Sequence, residues 1–239
     1  MFSINNNVAK QEEFSQVSLE KTFMSKVFLW MGLALAITAF TAYYFISSPE
    51  LIGMLINKNG LSGLGIFVAF SPFIFALLMT FGFKRFSVNV LMLLYGVFSV
   101  LMGMSLSFIL LVYTSSTVYT TFAVTSLMFG VMAVAGYTTK IDLTKFGSLM
   151  FMGLIGIIIA SIANFFMNSS SLEYVISFIG VVVFAGLTAY DVQKLKKIGA
   201  GIGYENELHK KLIILSAFTL YLDFINLFLF LLRFLGNRR

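Results

Sequence analysis

The chain has 239 residues, of which 59% are hydrophobic and 11% are charged, and its formal net charge is +6. Soluble domains carry about 25% charged residues, so this composition indicates an integral membrane protein. The chain has no cysteine and one histidine, which excludes disulfides, thiolate metal sites and cysteine nucleophiles and argues against a histidine-rich metal site.

The N-terminal segment, residues 1–21, is polar and contains Lys10, Glu12, Glu13 and Glu20. It has no apolar core followed by small residues at a cleavage site, so it does not have the features of a cleaved signal peptide. We therefore expect a solvated cytoplasmic tail over residues 1–21 and a single transmembrane domain over residues 22–239.

Seven apolar stretches follow this tail, and each is long enough to cross about 30 Å of hydrocarbon as a helix. They cover residues 24–46, 61–83, 88–112, 117–137, 146–167, 174–193 and 212–234. The sequence therefore predicts an all-α integral membrane protein with seven transmembrane helices. The charged segment from Lys194 to Lys211 is expected to be a loop between the last two. Asp223 and Asn226 interrupt the last stretch, so its complete crossing is left open.

Glycines occur throughout the apolar stretches. In lipid, small residues allow helices to approach closely, because no hydrophobic force drives helices together there. We expect a tight bundle with close contacts at Gly32, Gly63, Gly65, Gly96, Gly103, Gly130, Gly136, Gly153, Gly156, Gly180 and Gly186.

The distribution of basic residues predicts the orientation. With the N-terminus inside, eleven Lys and Arg residues lie in cytoplasmic segments, and only Lys58, Arg238 and Arg239 lie in outer segments. This bias follows the positive-inside rule. The positive charge therefore indicates topology and not a nucleic-acid partner. We expect a multi-pass protein of the inner (plasma) membrane with a cytoplasmic N-terminus.

Two aspartates, Asp191 and Asp223, lie within the last two apolar stretches. A charged side chain costs roughly 2.5–3.5 kcal/mol at the centre of a membrane helix, so such residues face a partner or a water-filled cavity. The two helices are expected to pack as antiparallel neighbours, which would allow the carboxyl groups to meet. Two carboxyl groups in contact can share one proton and form a pH switch. When charged, they offer the hard oxygen ligands that suit Ca²⁺.

Four other residues are candidates for the network around this pair. Arg85, at the end of the second stretch, is the predicted counter-charge, because a guanidinium can hold a carboxylate through two hydrogen bonds. Asn226 lies three residues after Asp223 and could share its hydrogen bonds. Tyr190 and Tyr221 could donate phenolic hydrogen bonds or only pack.

The segments around both aspartates resemble a known family. Gly186-Leu-Thr-Ala-Tyr190-Asp191 and Tyr221-Leu-Asp223-Phe-Ile-Asn226 are similar to the two signature segments of the Bax inhibitor family, the transmembrane Bax inhibitor motif group. The similarity covers nearly the whole chain and is greatest to the bacterial inner-membrane branch.

This resemblance implies a fold in which six helices surround a central seventh. It also implies a pH-sensitive calcium leak that a pair of aspartates on the last two helices controls. Asp191 and Asp223 match that pair, and Arg85 is the best match for the family's basic residue on the second helix. The resemblance implies no cofactor other than Ca²⁺ as the transported ion. The implied partners are the lipid bilayer, calcium ions and protons.

Two other functions are compatible with the sequence. The first is a membrane regulator that binds a protease, a translocation machine or another membrane protein without transport. The second is an intramembrane aspartyl protease, since two carboxyl groups that share a proton can activate water. The Tyr-Leu-Asp223 segment lacks the Gly-x-Gly-Asp pattern of those enzymes, so we expect no enzymatic activity.

Overall fold

A computed structural model describes residues 2–57, 60–201 and 206–236, with side chains from Ser18 onward. The described elements are eight helices and two short strands that form a hairpin. In chain order they are α1 (Phe2–Ser47), α2 (Pro49–Leu55), β1 (Ile56–Asn57), β2 (Gly60–Leu61), α3 (Gly63–Gly82), α4 (Val88–Val112), α5 (Ser115–Thr138), α6 (Thr144–Met167), α7 (Ser170–Gly201) and α8 (Glu207–Leu235).

The seven predicted membrane helices are confirmed. Seven of the described helices, α1 and α3 to α8, are long and apolar enough to cross a membrane. Local sequence signals fix several of their ends. Ser62, Thr114 and Asn206 each accept a hydrogen bond from a backbone N–H in the first turn of the helix that follows. Such N-caps satisfy backbone donors that have no partner within the helix.

The ends of the last two long helices differ from the prediction. The prediction of a loop from Lys194 to Lys211 is wrong, because α7 continues to Gly201 and α8 already begins at Glu207. Hydropathy detects the part of a helix that lies in hydrocarbon, whereas a helix can continue into the polar interface. The α8 helix is uninterrupted for 29 residues, about 42 Å at 1.5 Å per residue, so Asp223 and Asn226 do not break it.

The N-terminal segment is helical as well. Residues 2–21, predicted as a solvated tail, form the beginning of α1, which continues without a break into the first membrane helix. The side chains of residues 1–17 lie outside the described residues, as do Lys58, Arg238 and Arg239, which the charge count placed on the outer side.

Successive long helices run antiparallel, so their ends form two faces. The basic face contains the starts of α4, α6 and α8 and the ends of α3, α5 and α7. It contains Lys84, Arg85, Lys140, Lys145, Lys194, Lys197 and Lys210. The opposite face contains the turn between α6 and α7 and the end of α8. The charge bias predicts that the basic face is cytoplasmic.

The last two helices form the centre of the bundle. In the apolar stretches of α7 and α8, 67% of the residues are buried in the protein, against 6–33% in the other five long helices. The α8 helix contacts α1, α4, α5 and α7, while α7 contacts α1, α5, α6 and α8. The α6 helix packs on α7 and the α3 helix packs on α4, both at the periphery. The C-terminal helix is therefore central, and α7 shares this position.

Glycines permit the closest helix contacts, as predicted, but only at some positions. A side chain at Gly103 would overlap the backbone of Thr38 on α1, and one at Gly136 would overlap the backbone of Ala189 on α7. By contrast, no described atom lies within 4 Å of a Cβ built at Gly32, Gly63, Gly96, Gly130 or Gly156.

Candidate functional site: an aspartate pair between the last two helices

The structure brings Asp191 of α7 and Asp223 of α8 together. Their carboxyl groups lie within hydrogen-bonding range of each other at the interface of the two most buried helices. This contact agrees with the predicted pairing. The apolar stretch predicted Asp191 close to the end of its helix, but α7 continues for ten more residues beyond it.

The direction of the side chains explains why they meet. Asp191 lies about 15 Å from the basic-face end of α7, and Asp223 lies about 24 Å from the start of α8, at 1.5 Å per residue. In an α-helix each Cα–Cβ bond tilts toward the N-terminus. Because the helices are antiparallel, Asp191 tilts toward the opposite face and Asp223 tilts toward the basic face. The two side chains therefore approach each other along the helix axes.

The two carboxyl groups have different environments. Asp223 is 5% exposed, and its Oδ2 atom is buried without a hydrogen bond from any donor in the described residues. Asp191 is half-buried, and the ammonium group of Lys194 lies close enough to attract its charge. A buried carboxyl oxygen without a donor is costly, and a proton shared with the second carboxyl group would satisfy it.

A recess on the basic face lies next to the half-buried member of the pair. It has a volume of about 290 Å³ and is lined by Thr144, Tyr190, Gln193, Lys194, Lys197 and Ile198. Tyr190 and Lys194, which line this recess, are the residues one before and three after Asp191 on α7, whereas neither aspartate lines it. Asp191 is therefore the more exposed member of the pair, and Asp223 is the buried member.

Three side chains of α7 hold the end of α5 and the turn between α5 and α6. Gln193 accepts a hydrogen bond from the Leu143 N–H (2.8 Å) and donates one to the Ile141 carbonyl (2.7 Å). The Lys196 ammonium donates to the carbonyl of Tyr137 at 3.0 Å. The Lys197 ammonium forms an ion pair with Asp142 at 2.8 Å. This turn is thereby attached to the part of α7 that follows Asp191.

The ion pair of Asp142 does not respond to pH near neutrality. The hydrogen bonds from Lys197 and Thr144 lower the pKa of Asp142 to about 2. The carboxyl group is therefore charged throughout the neutral range, and the ion pair is lost only at strongly acidic pH.

Arg85, the predicted counter-charge, is not close to the pair in this structure. It lies exposed in the turn after α3, and within the described residues its guanidinium forms no ion pair with either aspartate. The reason is the position of α3, which packs on α4 and not on the two central helices. A role for Arg85 stays a prediction that requires movement of α3.

The other predicted partners form hydrogen bonds elsewhere. The Asn226 amide donates to the carbonyl of Leu222 in its own helix at 2.8 Å, so it does not share the hydrogen bonds of Asp223. Tyr221 is bonded to Thr38 of α1, because residues two apart in a helix point to different sides. Tyr190 packs against Gly147 of α6, with the Lys194 ammonium 5.9 Å from its ring centroid.

A buried hydrogen-bond network joins α8 to α1 and α4, and the sequence analysis missed it. The Thr38 hydroxyl donates to the Ser99 carbonyl (2.9 Å) and accepts from the Tyr221 hydroxyl (2.7 Å). The Tyr95 hydroxyl donates to the Ala217 carbonyl at 3.2 Å. The polar residues Thr38 and Ser99 inside apolar stretches were the available signal, since polar side chains in membrane helices hydrogen-bond across helices.

The described residues contain no group of three or more His, Asp or Glu side chains that could hold a metal ion. Ca²⁺ takes six to eight oxygen ligands, and the aspartate pair supplies at most four. A resident Ca²⁺ ion at the pair would therefore need further oxygen ligands.

Comparison with known proteins identifies the family. The sequence profile of the family described as inhibitor of apoptosis-promoting Bax1 matches residues 20–239. The chain belongs to the Bax inhibitor family. The match spans all seven membrane helices of this Bax inhibitor protein and both aspartate segments, so the predicted resemblance is confirmed.

Similar proteins of this family occur in distant bacteria. The chain is 44% identical to inner membrane protein YbhL of Escherichia coli (strain K12) over 220 residues, 92% of this chain and 93% of that protein. It is 45% identical to protein RP147 of Rickettsia prowazekii over 219 residues, 92% and 91% of the two chains. A protein of Borreliella burgdorferi is 40% identical over 228 residues, 95% and 97% of the two chains. With its apolar helices, this family membership makes the protein a multi-pass membrane protein.

Proposed function

We propose that this protein is a pH-sensitive calcium leak channel of the inner membrane, gated by protonation of Asp191 and Asp223. The observation that carries the proposal is the contact between their carboxyl groups at the interface of the two central helices. Acidic side chains within membrane helices are costly and commonly belong to ion pathways or proton relays, which supports this proposal.

In the closed state the pair holds one shared proton. The proton gives the buried Oδ2 atom of Asp223, or the oxygen next to it, a hydrogen-bond partner, and it leaves one negative charge instead of two. The pair then links α7 to α8 and keeps the interface dry. The near-complete burial of Asp223 supports this assignment of the closed state.

Loss of the shared proton opens the interface. Two unit charges about 4 Å apart repel each other by about 4 kcal/mol at an effective dielectric constant of 20. A coupling of 1–3 kcal/mol already shifts a two-state equilibrium 5- to 150-fold, so even a fraction of this repulsion is enough for gating. The freed carboxylates then meet a cation that enters from the basic-face recess, and Arg85 stays the predicted counter-charge of the open state.

Calcium is the proposed ion because carboxylates are hard oxygen ligands. The pair provides too few oxygens for a stable Ca²⁺ site, which suits conduction, since an ion must also leave. Water and backbone carbonyls would complete the coordination during passage.

The test is Ca²⁺ entry into proteoliposomes that hold the purified protein, measured from about pH 5 to about pH 8, the range in which proteins are usually most stable. The wild type is compared with Asp191→Asn and Asp223→Asn. Asp142→Asn is the matched control, since it removes an exposed carboxylate of the same type.

We expect the wild-type flux to rise with pH. The flux of both variants of the pair should stay low at every pH, because the new amide can donate to the remaining carboxylate and no second charge develops. A flux equal to that of empty liposomes at every pH would contradict the channel proposal and favour the regulator. A pH dependence that survives in both variants would show that the pair is not the switch.

A further inference from the structure

The face of α8 that meets α7 carries four residues of different character. Asp223, Asn226, Phe230 and Arg233 follow one another at spacings of three, four and three residues, so they lie on one side of the helix. Asp223 contacts Asp191, as described above. This row of residues on α8 is called the seam, and it runs from the aspartate pair to the opposite face.

The seam ends in a second recess. This recess has a volume of about 460 Å³ and opens on the opposite face between the ends of α6 and α8 and the start of α7. Its lining is mainly polar and includes Asn164, Glu173, Ser177 and Arg233. Arg233 lies ten residues after Asp223, so the recess begins about 15 Å from the pair along the helix.

Phe230 lies between this recess and the pair. Its ring stacks on the ring of Phe184, with centroids 5.6 Å apart and an interplanar angle of 25°. The same ring covers Gly180, where a Cβ atom would overlap it. On the recess side, the guanidinium of Arg233 lies 5.8 Å from the ring centroid. On the other side, Asn226 lies one helical turn closer to the pair.

We propose that Phe230 is the barrier between the opposite-face recess and the aspartate pair, and that Gly180 forms the slot that holds its ring. A divalent cation that crosses the protein passes this point only when the ring leaves the slot. Apolar constrictions stop ions because a hydrated ion cannot enter them without losing its water. The inference rests on the proposed function for the identity of the ion, but the position of the barrier follows from the contacts of Phe230.

The absence of native cysteine allows a direct test of access. Asn226→Cys places a single thiol on the pair's side of the ring. A cationic, membrane-impermeant thiol reagent is then added to the side of sealed vesicles that is opposite the N-terminus, which protease cleavage of an N-terminal tag identifies. We expect slow labelling of Asn226→Cys and labelling several-fold faster when Phe230→Ala is added.

Phe234→Ala is the matched control. It removes the same ring volume from the next turn of α8, but Phe234 packs against Tyr174 and Phe178, with centroids 4.8 and 5.7 Å away, and not on Gly180. This variant should leave the labelling rate unchanged. Equal rates with and without Phe230→Ala, or an equal increase in Phe234→Ala, would overturn the proposal.

A second variant tests the slot. In Gly180→Ala the new methyl group displaces the ring without removing it, so labelling should again become faster. If Phe230→Ala does not fold, an unchanged rate in Gly180→Ala overturns the proposal by itself.

Labelling does not depend on ion flux, so the two proposals fail separately. Labelling that depends on Phe230 in a protein without Ca²⁺ flux would refute the channel and keep the barrier. Flux that depends on pH, with labelling that does not depend on Phe230, would keep the channel and refute the barrier.

Discussion

The hydrogen bond between Thr38 and Tyr221 predicts that Tyr221→Phe destabilises the wild type but not the Thr38→Val variant. Thr38 donates to the Ser99 carbonyl and accepts from the Tyr221 hydroxyl, and both side chains are buried. Tyr221→Phe removes one hydrogen bond and leaves Thr38 with its bond to Ser99. Thr38→Val removes both bonds and leaves the Tyr221 hydroxyl buried without its partner.

The expected magnitudes follow from this difference. A hydrogen bond between membrane helices contributes on average about 0.6 kcal/mol and at most about 1.7 kcal/mol. A buried polar group without a partner costs roughly 1–3 kcal/mol. Tyr221→Phe should therefore lower the free energy of unfolding by about 0.6 kcal/mol. Thr38→Val should lower it by about 2–4 kcal/mol, because two lost bonds and the unpaired hydroxyl combine.

The double variant separates the two contributions. In the Thr38→Val background, Tyr221→Phe removes the unpaired hydroxyl, so it should be neutral or stabilising there. The assay is reversible unfolding in mixed detergent for the wild type, both single variants and the double variant, analysed as a double-mutant cycle. Thr80→Val is the control, since its hydroxyl bonds only within its own helix at an exposed position. Additive effects of the two substitutions would refute the reasoning.

Two further predictions concern the packing and the pH response. Gly136→Ala should destabilise the bundle by roughly 1–3 kcal/mol because its methyl group overlaps the backbone of α7, whereas Gly130→Ala on the same helix has open space. Equal unfolding temperatures of these two variants would contradict the close approach. Asp142→Asn should not move the pH of half-maximal flux. The hydrogen bond from Lys197 lowers the pKa of Asp142 from 3.8 to about 2, so this carboxylate stays charged and paired until the pH falls to about 2. A shift of that midpoint would show that Asp142 itself takes part in the pH response.

The seven membrane helices and the aspartate contact could be predicted because each depends on simple features of the sequence. Membrane thickness sets the length of an apolar stretch, and two carboxyl groups in neighbouring stretches have few ways to avoid lipid. The predicted end of α7 was wrong, because Lys194, Lys196 and Lys197 lower the local hydropathy without ending the helix.

The partners of the pair could not be predicted in the same way. Tyr221 was a candidate for the network because it is close to Asp223 in the sequence, but helix geometry turns it toward α1. The neighbours of Arg85 depend on where α3 packs, and nothing in its sequence fixes this. Phe230 is one of 28 phenylalanines, and its contact with Gly180 depends on how α7 and α8 pack.

The hydrogen bonds between helices link the bundle into two groups of elements. Thr38 and Tyr95 tie α1, α4 and α8 into one body, whereas Gln193 and its neighbouring lysines tie α7 to the turn between α5 and α6. The carboxyl groups of Asp191 and Asp223 meet where these two bodies touch. If the two carboxyl groups separate, the turn between α5 and α6 moves together with α7. A probe on this turn would then report whether the two carboxyl groups have separated.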